Sequence, residues 1–200
     1  MRLLLASSIL SNETLQNALR GLLIKPITEN KILIISINTN KEPYKSRLEN
    51  VKQIMVEMGF LIENISLYNL SERKPTNIKD VDVLYVFGGN DYYYLHHLRE
   101  TGLMQDIRDF IIEDGIYVGV SAGAKIMGPE IDVNLTPDEN DIGLNDTSGF
   151  GLIPFYIIPH WDWREHRMEY LEYSWKTGKR IVPLTDQQAV LVCDDKIKII

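Results

Sequence analysis

The residues best suited to chemistry are Gly119-Val120-Ser121-Ala122-Gly123. This Gly-x-Ser-x-Gly run follows the β-rich Ile116-Tyr117-Val118 and precedes the helix-compatible Ala124-Lys125-Ile126-Met127. A serine between strand and helix is the sequence form of a nucleophile elbow, a tight turn that lifts the hydroxyl clear of a sheet. Flanking glycines are needed because side chains there would collide with neighbouring backbone. The turn also leaves the amide of Ala122 to stabilise an oxyanion. The motif alone is weak evidence, so its meaning depends on partners elsewhere in the chain.

A serine hydroxyl at neutral pH needs a base, and the base needs an orienting carboxylate. Four histidines are available. His96 and His97 fall about two turns into the helix expected after Gly88-Gly89, where at least one faces solvent or packs. His166 belongs to the charged stretch Arg164-Glu165-His166-Arg167 and reads as a surface residue. His160 follows the strand-like Phe155–Ile158 and Pro159, on a loop at a strand end. Were it not for Ser121, packing between Trp161 and Trp163 would be the favoured reading of His160; with Ser121 present it is the candidate base. Asp162 and Glu165 are too near in sequence to reach its far ring nitrogen easily. Asp186, in Leu184-Thr185-Asp186-Gln187-Gln188, is the next strand-end acid, and spacing leaves it equally a triad member or a turn-shaping residue. The amide of Gly89, in Phe87-Gly88-Gly89-Asn90-Asp91, is the candidate second oxyanion donor, aided by the helix start that follows. A phosphate-cradling loop competes for that run, but it lacks both Gly-x-Gly-x-x-Gly and a Walker Lys-Ser/Thr.

Elements that could position these groups alternate along the chain. Strands are expected at Arg2–Ala6, Ile32–Ile37, Phe60–Leu67, Val81–Phe87, Gly115–Val120, Phe155–Ile158 and Arg180–Val182. Helical periodicity marks Glu13–Leu23, Lys45–Met58, Asp91–Leu98, Leu103–Glu113 and Arg164–Trp175. Ala189–Cys193 and Lys196–Ile200, parted by Asp194-Asp195, read as a terminal hairpin. Such alternation implies an α/β domain with a mostly parallel sheet flanked by helices. Residues 130–151, rich in Asp, Asn, Thr and Gly, read as a surface excursion. In open α/β sheets ligands bind beyond the carboxyl ends of strands, so the Gly88-Gly89 turn and Ser121 can face one crevice.

Two hundred residues suit one domain, 1–200, able to bury a substantial core. The net charge of −7, with no basic stripe, argues against nucleic acid or an anionic membrane as partner. The one cysteine, Cys193, excludes intramolecular disulfides and thiolate metal sites, and its apolar strand predicts a buried structural thiol. The apolar start Met1–Ser8 is too short for a signal peptide and reads as a first strand, and no run reaches membrane-spanning length. A cytoplasmic protein is expected, with no metal or cofactor; the oligomeric state stays open between monomer and homodimer.

Gly88-Gly89-Asn90 opening a helix, Gly119-Val120-Ser121-Ala122-Gly123-Ala124, Pro159-His160 and Leu184-Thr185-Asp186 together resemble the peptidase E (aspartyl dipeptidase) family of serine peptidases, which includes the cyanophycinases. The resemblance carries these motifs from about residue 80 to 193. It implies a class I glutamine amidotransferase-like fold, a flavodoxin-like three-layer sandwich. It further implies Ser121 as nucleophile, His160 as base, Asp186 as third member, and Gly89 and Ala122 as backbone oxyanion donors. Two departures concern specificity. Ile158 stands where aspartyl-cleaving members carry Asn, and the loop after His160 is short and lacks their Glu-Thr-Arg sequence. Asn90, Arg164 and Arg167 remain candidates for substrate contact. The expected activity is hydrolysis of short peptides, N-terminal acidic dipeptides among them. The rivals are an esterase of Ser, acid, His order, using Asp138, Asp141 or Asp146, and a non-catalytic module that binds small peptides.

Overall fold

The computed structural model describes residues 1–37, 42–72, 77–133, 138–162 and 165–200. Inside its main sheet lies β1 (Arg2–Ala6), where Leu3, Leu4, Leu5 and Ala6 are all fully buried. A strand buried on both faces must be covered on both, and it is. Leu3 and Leu5 join one core cluster with Leu95 and Leu98 of α3 (Asp91–Glu100) and Ile107 and Ile111 of α4 (Leu103–Ile112). Leu4 and Ala6 join the other, with Leu15 and Leu19 of α1 (Glu13–Leu22) and Leu48, Val51 and Met55 of α2 (Tyr44–Met58). Each buried leucine contributes about 1.5–3 kcal/mol, so the alternation along β1 fixes which helices lie on which side.

The seven-stranded sheet runs β3-β2-β4-β5-β1-β8-β9. Here β2 is Ile32–Ser36, β3 Ile65–Asn69, β4 Val83–Val86, β5 Ile116–Val120, β8 Ala189–Cys193 and β9 Lys196–Ile199. β3, β2, β4, β5 and β1 are mutually parallel, whereas β8 and β9 form the expected antiparallel hairpin against β1. The result is the helix–sheet–helix sandwich that the alternation predicts.

Four expectations need correction. The strand expected from Phe60 begins only at Ile65, because Ile62–Asn64 make a 3₁₀ turn on which Leu61 and Ile62 stay 41% and 61% exposed. β6 (Tyr156–Ile158) and β7 (Ile181–Pro183) do not extend the main sheet but pair with each other in parallel. The helix expected from Arg164 is α6, which begins at Arg167 and ends at Thr177. Cys193 is half-buried rather than buried, since the terminal hairpin is covered less than the sheet centre. Among the described residues no helix is long and apolar enough to cross a membrane.

Candidate active site

β5 ends in the predicted elbow. Ser121 has φ 51° and ψ −109°, a left-handed backbone that a non-glycine residue rarely adopts, and α5 (Ala122–Lys125) starts immediately after it. The glycines on either side answer a close approach of backbone. A Cβ on Gly119 would lie 2.3 Å from the Gly123 carbonyl oxygen, and one on Gly123 would lie 2.3 Å from that of Val86. Beneath the turn, the buried Tyr117 hydroxyl donates to Gly123 O at 2.7 Å, and burial pushes its phenol well above the ordinary range.

β6 and β7 bring the other partners to the same place. Leu184 N donates to Ile158 O and Trp161 N to Leu184 O, so the loops that follow the two short strands stay side by side. His160, itself left-handed at φ 63°, sits on one of these loops and Asp186 on the other. Because β8 runs antiparallel to β1, pairing Ala189 with Ala6, the turn before β8 lies at the carboxyl end of β1. An acid preceding a strand therefore reaches the crevice.

The predicted groups form a chain of contacts. Ser121 Oγ lies 3.0 Å from His160 Nε2, and His160 Nδ1 lies 2.6 Å from Asp186 Oδ1. The imidazole and carboxylate are about a quarter exposed, at 22% and 28%. Sequence reasoning missed Ser7, the residue after β1. Its fully buried hydroxyl accepts from His160 N at 2.7 Å and donates to Asp186 Oδ1 at 3.0 Å. Ser7 N in turn donates to Gln188 O, which closes the 184–188 turn onto β1. Asp162 Oδ1 accepts from Asp186 N at 3.3 Å.

The glycine turn borders Ser121. A Cβ on Gly88 would stand 3.2 Å from Ser121 Cβ, and one on Gly89 would strike Ile37 Cδ1 at 2.9 Å. Both glycines thus allow an approach that a side chain would block. Asn90 uses its amide within the protein: its oxygen caps α3 by accepting from Tyr93 N, and its nitrogen donates to Glu139 O. A substrate contact through Asn90 would have to displace one of these bonds. Arg167 is exposed at the start of α6, and Arg164 lies outside the described residues.

The rival acids are engaged along α3. Asp138 Oδ2 accepts from Asp91 N at 2.9 Å, and Asp141 Oδ2 accepts from Tyr93 OH at 2.8 Å. Asp146 pairs with Arg99 at 3.3 Å, and the Ser148 backbone N–H foremost holds its carboxyl below the usual range. The other histidines stand apart from this arrangement. His96 Nε2 meets Glu100 at 3.2 Å, His97 is buried and stacked with Tyr93, and His166 is exposed.

Comparison with known proteins fits this geometry. The family model for peptidase family S51 matches residues 3–200. An uncharacterized peptidase of Pasteurella multocida is 28% identical over 180 residues, spanning 87% of this chain and 86% of that protein. Peptidase E of Nostoc sp. is 30% identical over 134 residues, which are 66% of this chain and 52% of the relative. The crystal structure of a peptidase from an acI-B1 Actinobacterium is similar with a TM-score of 0.72 at 19% identity, covering 100% of this chain and 86% of that one. A candidate peptidase E protein from Listeria monocytogenes gives a TM-score of 0.79 at 20% identity, covering 100% and 97%. The fold is thus the flavodoxin-like, class I glutamine amidotransferase-like sandwich that the motifs imply.

Proposed function

The chain belongs to peptidase family S51 and is a serine-type peptidase; from that premise we propose that it cleaves short peptides through Ser121, His160 and Asp186. The reading is carried by the continuous run from Ser121 Oγ through His160 Nε2 and Nδ1 to Asp186 Oδ1, at 3.0 and 2.6 Å. Ser121 Oγ attacks the scissile carbonyl while His160 Nε2 takes its proton. Asp186 holds the imidazole in the tautomer with the proton on Nδ1 and stabilises the imidazolium. The amides of Gly89 and Ala122 receive the tetrahedral oxyanion. His160 then protonates the leaving amine, and the C–N bond breaks to give an acyl-enzyme. A water deprotonated by His160 attacks the ester, releases the acid product and restores the serine.

The substrate class is short peptides, N-terminal acidic dipeptides among them. An acidic first residue would need a cation, for which Arg164 and Arg167 are the candidates. A hydrolysis screen of Asp-X, Glu-X and neutral-X dipeptides ranks these preferences. A fluorophosphonate probe should label Ser121 in the native chain, and Ser121→Ala should lose both labelling and hydrolysis, by about 10⁴-fold or more, with the fold intact. A native chain inert to the probe would favour a peptide-binding module instead.

A further inference from the structure

Four residues beyond Ser121, the last residue of α5 is Lys125, buried at 8% exposure and ion-paired with Asp91 at 2%. Asp91 is the first residue of α3, two positions after Gly89. The pair therefore joins the two backbone segments that carry the Ala122 and Gly89 amides. Neither partner belongs to the hydrogen-bonded run through His160. Lys125 N donates to Ser121 O at 3.0 Å, so the lysine is bonded directly to the elbow. On the other side, Asp91 N donates to Asp138 Oδ2, and Asn90 caps the same helix turn.

Stability alone is a poor reason for such a pair. Removing two ions from water costs several kcal/mol each, and apolar residues of similar volume often serve as well or better. What an ion pair adds over a greasy contact is direction: the ammonium and carboxylate meet at one place, whereas methylene groups slide. A shift of about 1 Å between catalytic groups can cost about 10²-fold in rate. We propose that Lys125 and Asp91 are positioning residues that fix the distance between the two oxyanion donors. This inference rests on the hydrolase reading of Ser121.

The test uses the full chain and a fluorophosphonate, whose phosphoryl oxygen occupies the oxyanion site as Ser121 displaces fluoride. The variant Lys125→Met with Asp91→Leu removes both charges together, so no lone ion is left buried. It should fold, as judged by circular dichroism and a cooperative melt. Its maximal inactivation rate should fall by about 10²-fold, within the range for losing an oxyanion donor. The half-saturating probe concentration should change little, a split that general loosening of the crevice would not produce. A folded variant that reacts at the native rate overturns the proposal. If the double variant fails to fold, Lys125→Met with Asp91→Asn, which also removes both charges, is read by the same two outcomes. Failure of both to fold would make the pair a stability element and also overturns it. A native chain that never reacts at Ser121 sinks the peptidase reading instead, and that result is distinct from all of these.

Discussion

At the carboxyl ends of β1, β4 and β5, Ser7, the glycine turn and Ser121 lie within one hydrogen-bonded neighbourhood. At the amino ends of the same strands lies a cavity of about 630 Å³, lined by Arg2, Lys25, Asp82, Asp114 and Gly115 among others. The cavity is spacious and its lining is rich in charge. Yet the charges just named pair off at the surface. Asp114 meets both Arg2 and the amino terminus, and Lys25, itself 53% exposed, meets Asp82 at 2.6 Å. At the other end polar groups converge instead on one hydroxyl, and the ion pair beside it is shut away from water. On the proposed reading, what marks the site is the convergence of polar groups on Ser121, not cavity volume or the number of charges.

Substitutions at the two ends should differ by orders of magnitude, which makes the contrast breakable. The largest effect after the nucleophile belongs to Asp186→Asn, which preserves shape but offers His160 Nδ1 no carboxylate. A loss of about 10⁴-fold in kcat is expected, measured on the best dipeptide from the screen. A near-native rate would shift the third role to another acid. Ser7→Ala comes next. It deprives His160 N of its acceptor and Asp186 Oδ1 of a donor, and should lower kcat by about 10- to 10²-fold. Urea titration should show a stability loss of about 1–3 kcal/mol from the stranded amide. An unchanged kcat would mean that β6 and β7 alone hold the histidine. The smallest effect is reserved for the amino-end cavity. Lys25→Gln should leave hydrolysis unchanged and alter stability by less than about 1 kcal/mol, as for exposed ion pairs generally. A large drop in activity there would abolish the contrast.

How much of this could be read beforehand depends on how local each cause is. The elbow was legible because its requirement is local: Gly119 and Gly123 are needed where a Cβ would meet a carbonyl oxygen. The strand–helix alternation was legible through apolar periodicity, and the final hairpin through Asp194-Asp195. Ser7 was not, because a serine after a strand resembles any loop residue and its partner Asp186 lies 179 residues away. The separate pairing of β6 with β7 was equally hidden, as strands of three residues carry no pattern that says which neighbour they will find. Phe60–Leu67 is apolar in content without being buried throughout, since Ile62 remains in solvent. The place of Asp186 was half-visible. Its sequence position allowed a turn or a site, and the antiparallel run of β8 sets that turn beside His160.

That reversal of β8 has a consequence for biosynthesis. A ribosome delivers the serine long before it delivers the acid, and the acid reaches its station only when Ala189–Cys193 zips against Arg2–Ala6. Under the proposed chemistry, a nascent or prematurely terminated polypeptide carries the reactive hydroxyl without the means to use it. On that reading, protease activity is licensed by completion of the sheet.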